Sequence, residues 1–219
     1  MEMTLYGTRG SGSAAIEAAL VLAGLPFARV DATSWVPSEG LDALAKINPL
    51  RQIPTLVLAD GSVMTESAAI LIHLGLTLPD AKLMPQDPSA RAQAIRGLVF
   101  IAANCYAAIS VLDFPERWSR DADSPPDVER CIKRGARHRL HLHWEMFADQ
   151  FLPLAGAEPF LNGAAPGALD LLAAVVSRWS GARQHLQAAR PDFHALLRRV
   201  DTYPSLVSLF EHHWPTHAA

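Results

Sequence analysis

The stretch from Ile47 to His73, INPLRQIPTLVLADGSVMTESAAILIH, constrains this chain most, because it dictates a loop, a hairpin and a helix start in close succession. Asn48-Pro49 ends a preceding helix, since the residue before a proline is pushed out of the α region. Pro54 stands at the mouth of the apolar run Thr55 to Ala59, which reads as a strand. Asp60-Gly61 is a two-residue hairpin signal of the type that needs positive φ. Ser62 to Thr65 returns as a short strand, and Glu66-Ser67 opens an apolar helix. Free N–H groups at a helix start and a Ser hydroxyl suit a carboxylate, while Glu66 suits an ammonium. Singly, Pro54, Glu66 and Ser67 are ordinary strand-start and first-turn residues; their order is the informative part.

The succession Asn-Pro, Gln-Ile-Pro, strand, Asp-Gly, strand, Glu-Ser, Ala-Ile resembles the thioredoxin-like domain of the cytosolic glutathione transferases. The resemblance implies that Pro54 is cis and that Ile53, after Gln52 in the same motif, pairs its main chain with the cysteinyl part of glutathione. It implies equally that Glu66 and Ser67 hold the γ-glutamyl end. Arg51 departs from the family pattern, where a small residue often precedes Gln-Ile-Pro. It reaches the glycyl carboxylate or points into water, the commoner fate of an arginine.

Met3 to Gly7 reads as a strand, Ala14 to Ala23 as an Ala-rich helix ended by Gly24, and Pro26 to Asp31 as a second strand. Together they make a right-handed βαβ unit, and with the later hairpin a four-stranded mixed sheet. Ser38 to Lys46 is a short capped helix. The loop Gly7 to Ser13 places hydroxyls at the first helix's amino end. By resemblance to the serine-type transferases Ser11 is the first choice to donate to the glutathione sulfur, with Ser13 the alternative and Tyr6, at the end of the first strand, the third candidate. Lowering a thiol from about 8.5 to about 6.5 takes roughly 2.7 kcal/mol. One hydrogen bond to a charged group supplies about 1.5–3 kcal/mol, and a helix N-terminus about 0.3–1. A cysteine-type mechanism is disfavoured, because Gly12 stands where the low-pKa thiol would be expected and there is no Cys-x-x-Cys.

Leu78 to Pro88 holds three prolines and reads as a linker. Beyond it the chain is helical. Ile95, Leu98, Ala102, Cys105, Ile109 and Leu112 form a bundle stripe, and Val128 to Phe151 a second long helix after the break at Asp121 to Pro126. His138, His141 and His143 lie in that helix without a carboxylate or cysteine to complete a metal set. Gly167 and Asp170 resemble the family's capping box with its hydroxyl missing, so Asp170 is expected to act through the helix dipole. Leu171 to Trp179 is apolar on nearly all sides, as a central helix is. Tyr106, Phe114 and Trp118, with Trp35, are expected walls of a second-substrate pocket.

At 219 residues, half of them apolar, the chain can bury a proper core. A net charge of −3 leaves no electrostatic footprint for nucleic acid. Two cysteines fit a reducing compartment, and no apolar run is expected to reach membrane-spanning length. The expectations are therefore a thioredoxin-like α/β domain at 1–80, a linker at 81–87 and an all-helical domain at 88–219. The function implied is a cytoplasmic, homodimeric glutathione transferase without metal or other cofactor, using glutathione as co-substrate against a small hydrophobic electrophile. The rival is a member of the same fold that has lost the chemistry and serves as an interaction module.

Overall fold

The computed structural model describes residues 2–33, 36–119 and 126–215; Trp35 and the predicted break at 121–125 lie outside the described residues. β1 (Met3–Gly7), α1 (Ser13–Leu22) and β2 (Phe27–Asp31) form the expected βαβ unit, with β1 and β2 parallel from Met3 opposite Phe27 to Gly7 opposite Asp31. α2 (Glu39–Ile47) begins where Ser38 Oγ accepts the Leu41 N–H at 3.1 Å. β3 (Thr55–Val57) pairs antiparallel with β1 and with β4 (Val63–Thr65), giving the strand order β2-β1-β3-β4. α3 (Ser67–Thr77) follows directly. This is the thioredoxin-like arrangement that the resemblance implied.

The hairpin differs in one detail. Only Gly61 has positive φ, 88°, and the turn closes through Gly61 N–H to Leu58 O at 2.9 Å, so it is longer than a two-residue turn. Asp60 keeps an ordinary backbone because its carboxylate is engaged locally, accepting both the N–H (2.9 Å) and the hydroxyl (2.6 Å) of Ser62.

α4 (Pro88–Phe100) starts at Asp87, whose carboxylate accepts the Ala90 N–H at 2.8 Å. It runs through a π turn at Ile101–Tyr106 into α5 (Ala107–Asp113). Contrary to expectation, this continuous 26-residue helix, of mean hydropathy 1.8, is by length and composition long and apolar enough to cross a membrane. Its apolarity is used within the fold: Leu98, Ile101, Cys105, Ile109 and Leu112 are buried, with neighbours on α6 (Pro126–Phe151) and α7 (Ala168–Val176). Ile101 takes the inward place expected of Ala102, which lies exposed; the wider π turn rotates this stretch relative to a regular α stripe. Burial pushes the Cys105 thiol up, as suits a packed hydrophobe.

Every residue of α7 is buried, and α1 packs on it and on α3. α8 (Ala182–Ala189), α9 (Pro191–Asp201) and α10 (Val207–His213) complete the helical half. Sequence reading missed α8, whose amphipathic pattern is short, with only Ala182 and Leu186 buried. The α6 histidines have structural neighbours: His141 stacks on His185 at 4.2 Å, and His143 Nδ1 lies 3.1 Å from Asn104 O.

Asp170 does more than complement a dipole. Fully enclosed, it accepts N–H bonds from Leu161 (2.7 Å), Asn162 (3.1 Å) and Gly167 (3.0 Å), tying the preceding loop to the start of α7. Burial pushes its carboxyl up to about 6, the three N–H donors opposing the rise. Gly167 is required for packing, because a Cβ there would collide with the Asn162 amide, whose Nδ2 donates to Lys82 O at 2.8 Å.

Candidate functional site

A cleft of about 730 Å³ opens where α1 and α3 begin, facing one side of α4–α5. That volume is in the range of small-molecule sites. The loop Thr8 to Gly12 forms one edge and is held from the far end of the chain. Gly10 N–H donates to His213 Nδ1 at 3.1 Å, and Arg9 Nε donates to His212 O at 2.6 Å. The opposite edge is set by Asn48, buried at the end of α2, whose Nδ2 donates to Gln52 O (3.1 Å) and Thr55 Oγ1 (2.9 Å). This braces Gln52, Ile53 and Pro54, and the Ile53-Pro54 peptide is cis. Among the described residues the Ile53 main chain takes no hydrogen bond, and Ile53 lines the cleft.

Glu66 is the N-cap of α3 and holds φ 65° and ψ 109°, a conformation outside the region left-handed residues ordinarily occupy. Its side chain is exposed, makes no capping bond, and has no cationic partner among the described residues. Ser67 beside it is buried. The first N–H groups of α3 have no side-chain cap, whereas those of α1 are met within its own loop, Ser13 N–H by Ser11 Oγ at 3.2 Å and Ala14 N–H by Ser11 O at 3.2 Å. The α3 N-terminus therefore presents open donors to the cleft, next to an unpaired carboxylate. That arrangement suits a zwitterion with adjacent ammonium and carboxylate groups.

Ser11, Gln52, Ile53, Pro54, Glu66, Ser67, Tyr106 and Phe114 all line the cleft. Ser13, Tyr6, Arg51 and Trp118 do not, and each is corrected by position. Ser13 is fully buried beneath Gly7 with its hydroxyl on Thr8 O at 3.2 Å. Tyr6 sits inside β1 between Val30 and Thr55. Arg51 is exposed at φ 52° on the loop's outer side, and Trp118, 62% exposed, ends a short 3₁₀ turn beyond the cleft.

Ser11 is only partly free. Its hydroxyl donates to Thr8 O at 2.8 Å, meets Ser13 Oγ at 2.9 Å and accepts the Ser13 N–H at 3.2 Å. To turn its one proton toward a ligand it must give up the Thr8 bond, worth about 0.5–1.5 kcal/mol; Ser13 can then serve Thr8.

Sequence reading missed Asp113 and Trp179 as cleft residues. Asp113 follows Tyr106 by seven positions, which places both on one helix face, so that signal was present. Burial raises the Asp113 carboxyl, with Lys133 opposing. Trp179 follows the all-apolar α7 and offers no local cue, yet its ring meets Tyr106 at 5.8 Å. Among the described residues no three His, Cys, Asp or Glu side chains converge as a metal set would require.

The model of the glutathione S-transferase N-terminal domain family matches residues 13–76. Over 205 residues the chain is 31% identical to the uncharacterized GST-like protein YncG of Escherichia coli (strain K12), covering 92% of this chain and 94% of that one. A probable maleylacetoacetate isomerase of Caenorhabditis elegans is 38% identical over 86 residues, 39% of each chain. Among solved structures, a glutathione transferase homolog from Sulfitobacter with bound glutathione superposes with a TM-score of 0.78 at 26% identity, covering 95% of this chain and 96% of that one. With the near-full-length relative and the shared fold in agreement, the chain belongs to the glutathione S-transferase family.

Proposed function

We propose that the cleft binds reduced glutathione and presents its thiolate to a small hydrophobic electrophile. The observation that carries this is the Glu66-Ser67 corner: an unpaired carboxylate on a strained backbone beside the open N-terminus of α3. There the γ-glutamyl ammonium meets Glu66, and its carboxylate meets the Ser67 hydroxyl and the first N–H groups of α3. The cysteinyl unit lies along Ile53, whose main-chain N–H and carbonyl match a peptide's own. This leads the sulfur toward Ser11 and the start of α1.

The thiol's own proton passes to solvent, Ser11 then turns its hydroxyl proton to the sulfur as a hydrogen bond, and the α1 dipole adds its share. The thiolate gives its electron pair to the electrophilic carbon, and with an activated aryl chloride the chloride leaves. Ala102, Ile109, Phe114, Leu172 and Trp179 supply a mostly apolar wall for such a substrate. With an isomerisable substrate the same thiolate would add and be expelled again, so product analysis separates the two outcomes. The proposal includes a two-fold homodimer and a cytoplasmic setting; sedimentation velocity checks the first and fractionation the second.

Calorimetric titration of reduced glutathione at neutral pH tests the core of this reading. Saturable binding between micromolar and millimolar, about −8 to −4 kcal/mol, weakened in a Glu66→Ala variant, supports it. No binding at tens of millimolar would overturn it and redirect attention to protein partners.

A further inference from the structure

We infer that Tyr106, carried by the helical half, is a second hydroxyl that donates to the glutathione sulfur, its tip filling the space of the side chain that Gly12 lacks. The inference rests on the proposed glutathione site and adds a catalytic residue to it. Gly12 begins α1 at φ −61° and ψ −17°, angles open to any residue, so its backbone does not call for glycine. What calls for glycine is Tyr106: a Cβ on Gly12 would collide with the Tyr106 hydroxyl. The phenol therefore reaches across the cleft to the place from which an α1 side chain would address the sulfur.

Three further observations support a donor there. Ser67 Oγ lies 3.7 Å from the same Cβ position, which sets Tyr106 between the glutamyl corner and the start of α1. The ring is braced by Trp179, with centroids 5.8 Å apart, and Tyr106 closes the π turn, an irregularity that often marks functional positions. Finally, burial and the neighbouring Glu66 and Asp113 carboxylates hold the phenol protonated, Ser67 opposing. A neutral phenol has a proton to give a thiolate and is a poor base, so its part is stabilisation of the anion and not removal of the proton.

The test compares wild type, Tyr106→Phe, Gly12→Ala and Ser11→Ala by ultraviolet titration of the bound thiolate, glutathione calorimetry and the pH dependence of kcat with an activated aryl chloride. Tyr106→Phe keeps the ring and its packing on Trp179. Its expected result is glutathione affinity within about threefold of wild type, with the bound-thiol pKa raised by about one unit or more, or tenfold less thiolate at a given pH below it. The kcat profile should move by the same amount and recover at high pH. Gly12→Ala, which must displace the hydroxyl, should give the same shift with the phenol intact.

An unshifted thiol pKa in Tyr106→Phe overturns the inference even where Gly12→Ala shifts it, since sterics would then be the cause. Lost glutathione affinity in Tyr106→Phe beside tight binding by wild type overturns it too, because the role would be binding. No glutathione binding by wild type fails the underlying site and this inference with it, and that outcome is distinct from the others.

Discussion

Replacing Glu66 with glycine is expected to make the empty protein more stable and its peptide binding weaker, two effects of opposite sign from one side chain. At φ 65° and ψ 109° Glu66 occupies backbone space that costs a residue with a Cβ about 1–3 kcal/mol. Glycine escapes that cost but loses about 0.4–1 kcal/mol through its freer unfolded chain. The glutamate side chain offers nothing in return, being exposed and without a capping bond. The net change is a gain of about 0.5–2 kcal/mol, sizeable beside a total stability of about 5–15. Glu66→Ala keeps the Cβ and the strain, so its stability should stay within about 0.5 kcal/mol of native.

Both variants lose the carboxylate, so glutathione binding should weaken in both, by about 1–3 kcal/mol, as for a hydrogen bond to a charged group. The larger loss of a fully buried ion pair does not apply, because Glu66 is exposed. Urea unfolding, compared through Cm at constant m, reads the first effect. Calorimetry reads the second. A glycine variant no more stable than the alanine variant would refute the strain argument, and native affinity in either would refute the ammonium contact.

Asp170→Ala should cost about 3–5 kcal/mol in urea unfolding, since it strands three N–H donors, that of buried Gly167 fully and those of the half-buried loop in part. The Asp170 carboxyl also shapes the pH profile. With its folded pKa near 6 against the usual 3.8, the native state holds a proton that the unfolded state releases, so its contribution falls by up to about 3 kcal/mol from pH 4 to 6 and then levels off. Asp170→Asn should lack that slope in pH-dependent denaturation. Ser13→Ala should lower the unfolding midpoint and, by leaving Thr8 O without a second donor, raise the bound-thiol pKa by less than Ser11→Ala does, because Ser13 faces the interior; a rise as large as that of Ser11→Ala would return it to the candidate donors.

The fold was legible because its strongest signals are local. Asn48-Pro49, Gly61, Ser38 and the strand runs each act through their own backbone within a few residues, and the elements they mark lie within about two residues of their predicted ends. The glutamyl corner was legible for the same reason, with cap, hydroxyl and carboxylate consecutive in sequence. Choosing among Ser11, Ser13 and Tyr6 was harder, because one residue of register at a helix start decides between facing the cleft and facing the core. In sequence Tyr106 shows only as a wall because its partner Gly12 lies far away along the chain, and a glycine's empty side is visible only once the other half is packed against it. Trp179 and His213 reach the site through the tertiary fold alone.

His213 shows how far the site depends on the end of the chain. Its side chain is fully enclosed, Nδ1 accepts the Gly10 N–H at 3.1 Å, and Nε2 lies 3.3 Å from Glu17 Oε1, whose carboxylate also meets Arg29 at 3.1 Å. His213→Ala would leave a cavity and an unpaired N–H, costing about 2–4 kcal/mol of stability. Because Gly10 adjoins Ser11, the freed loop should also weaken glutathione binding and raise the bound-thiol pKa. His213→Asn offers a carbonyl oxygen near the Nδ1 position, so it should recover the binding and thiol effects better than the stability, which also reflects lost volume. If His213→Ala lost stability while its glutathione affinity and thiol pKa stayed native, the loop would be held by its own bonds, Ser11 to Thr8 and Ser13, and α10 would brace only the fold.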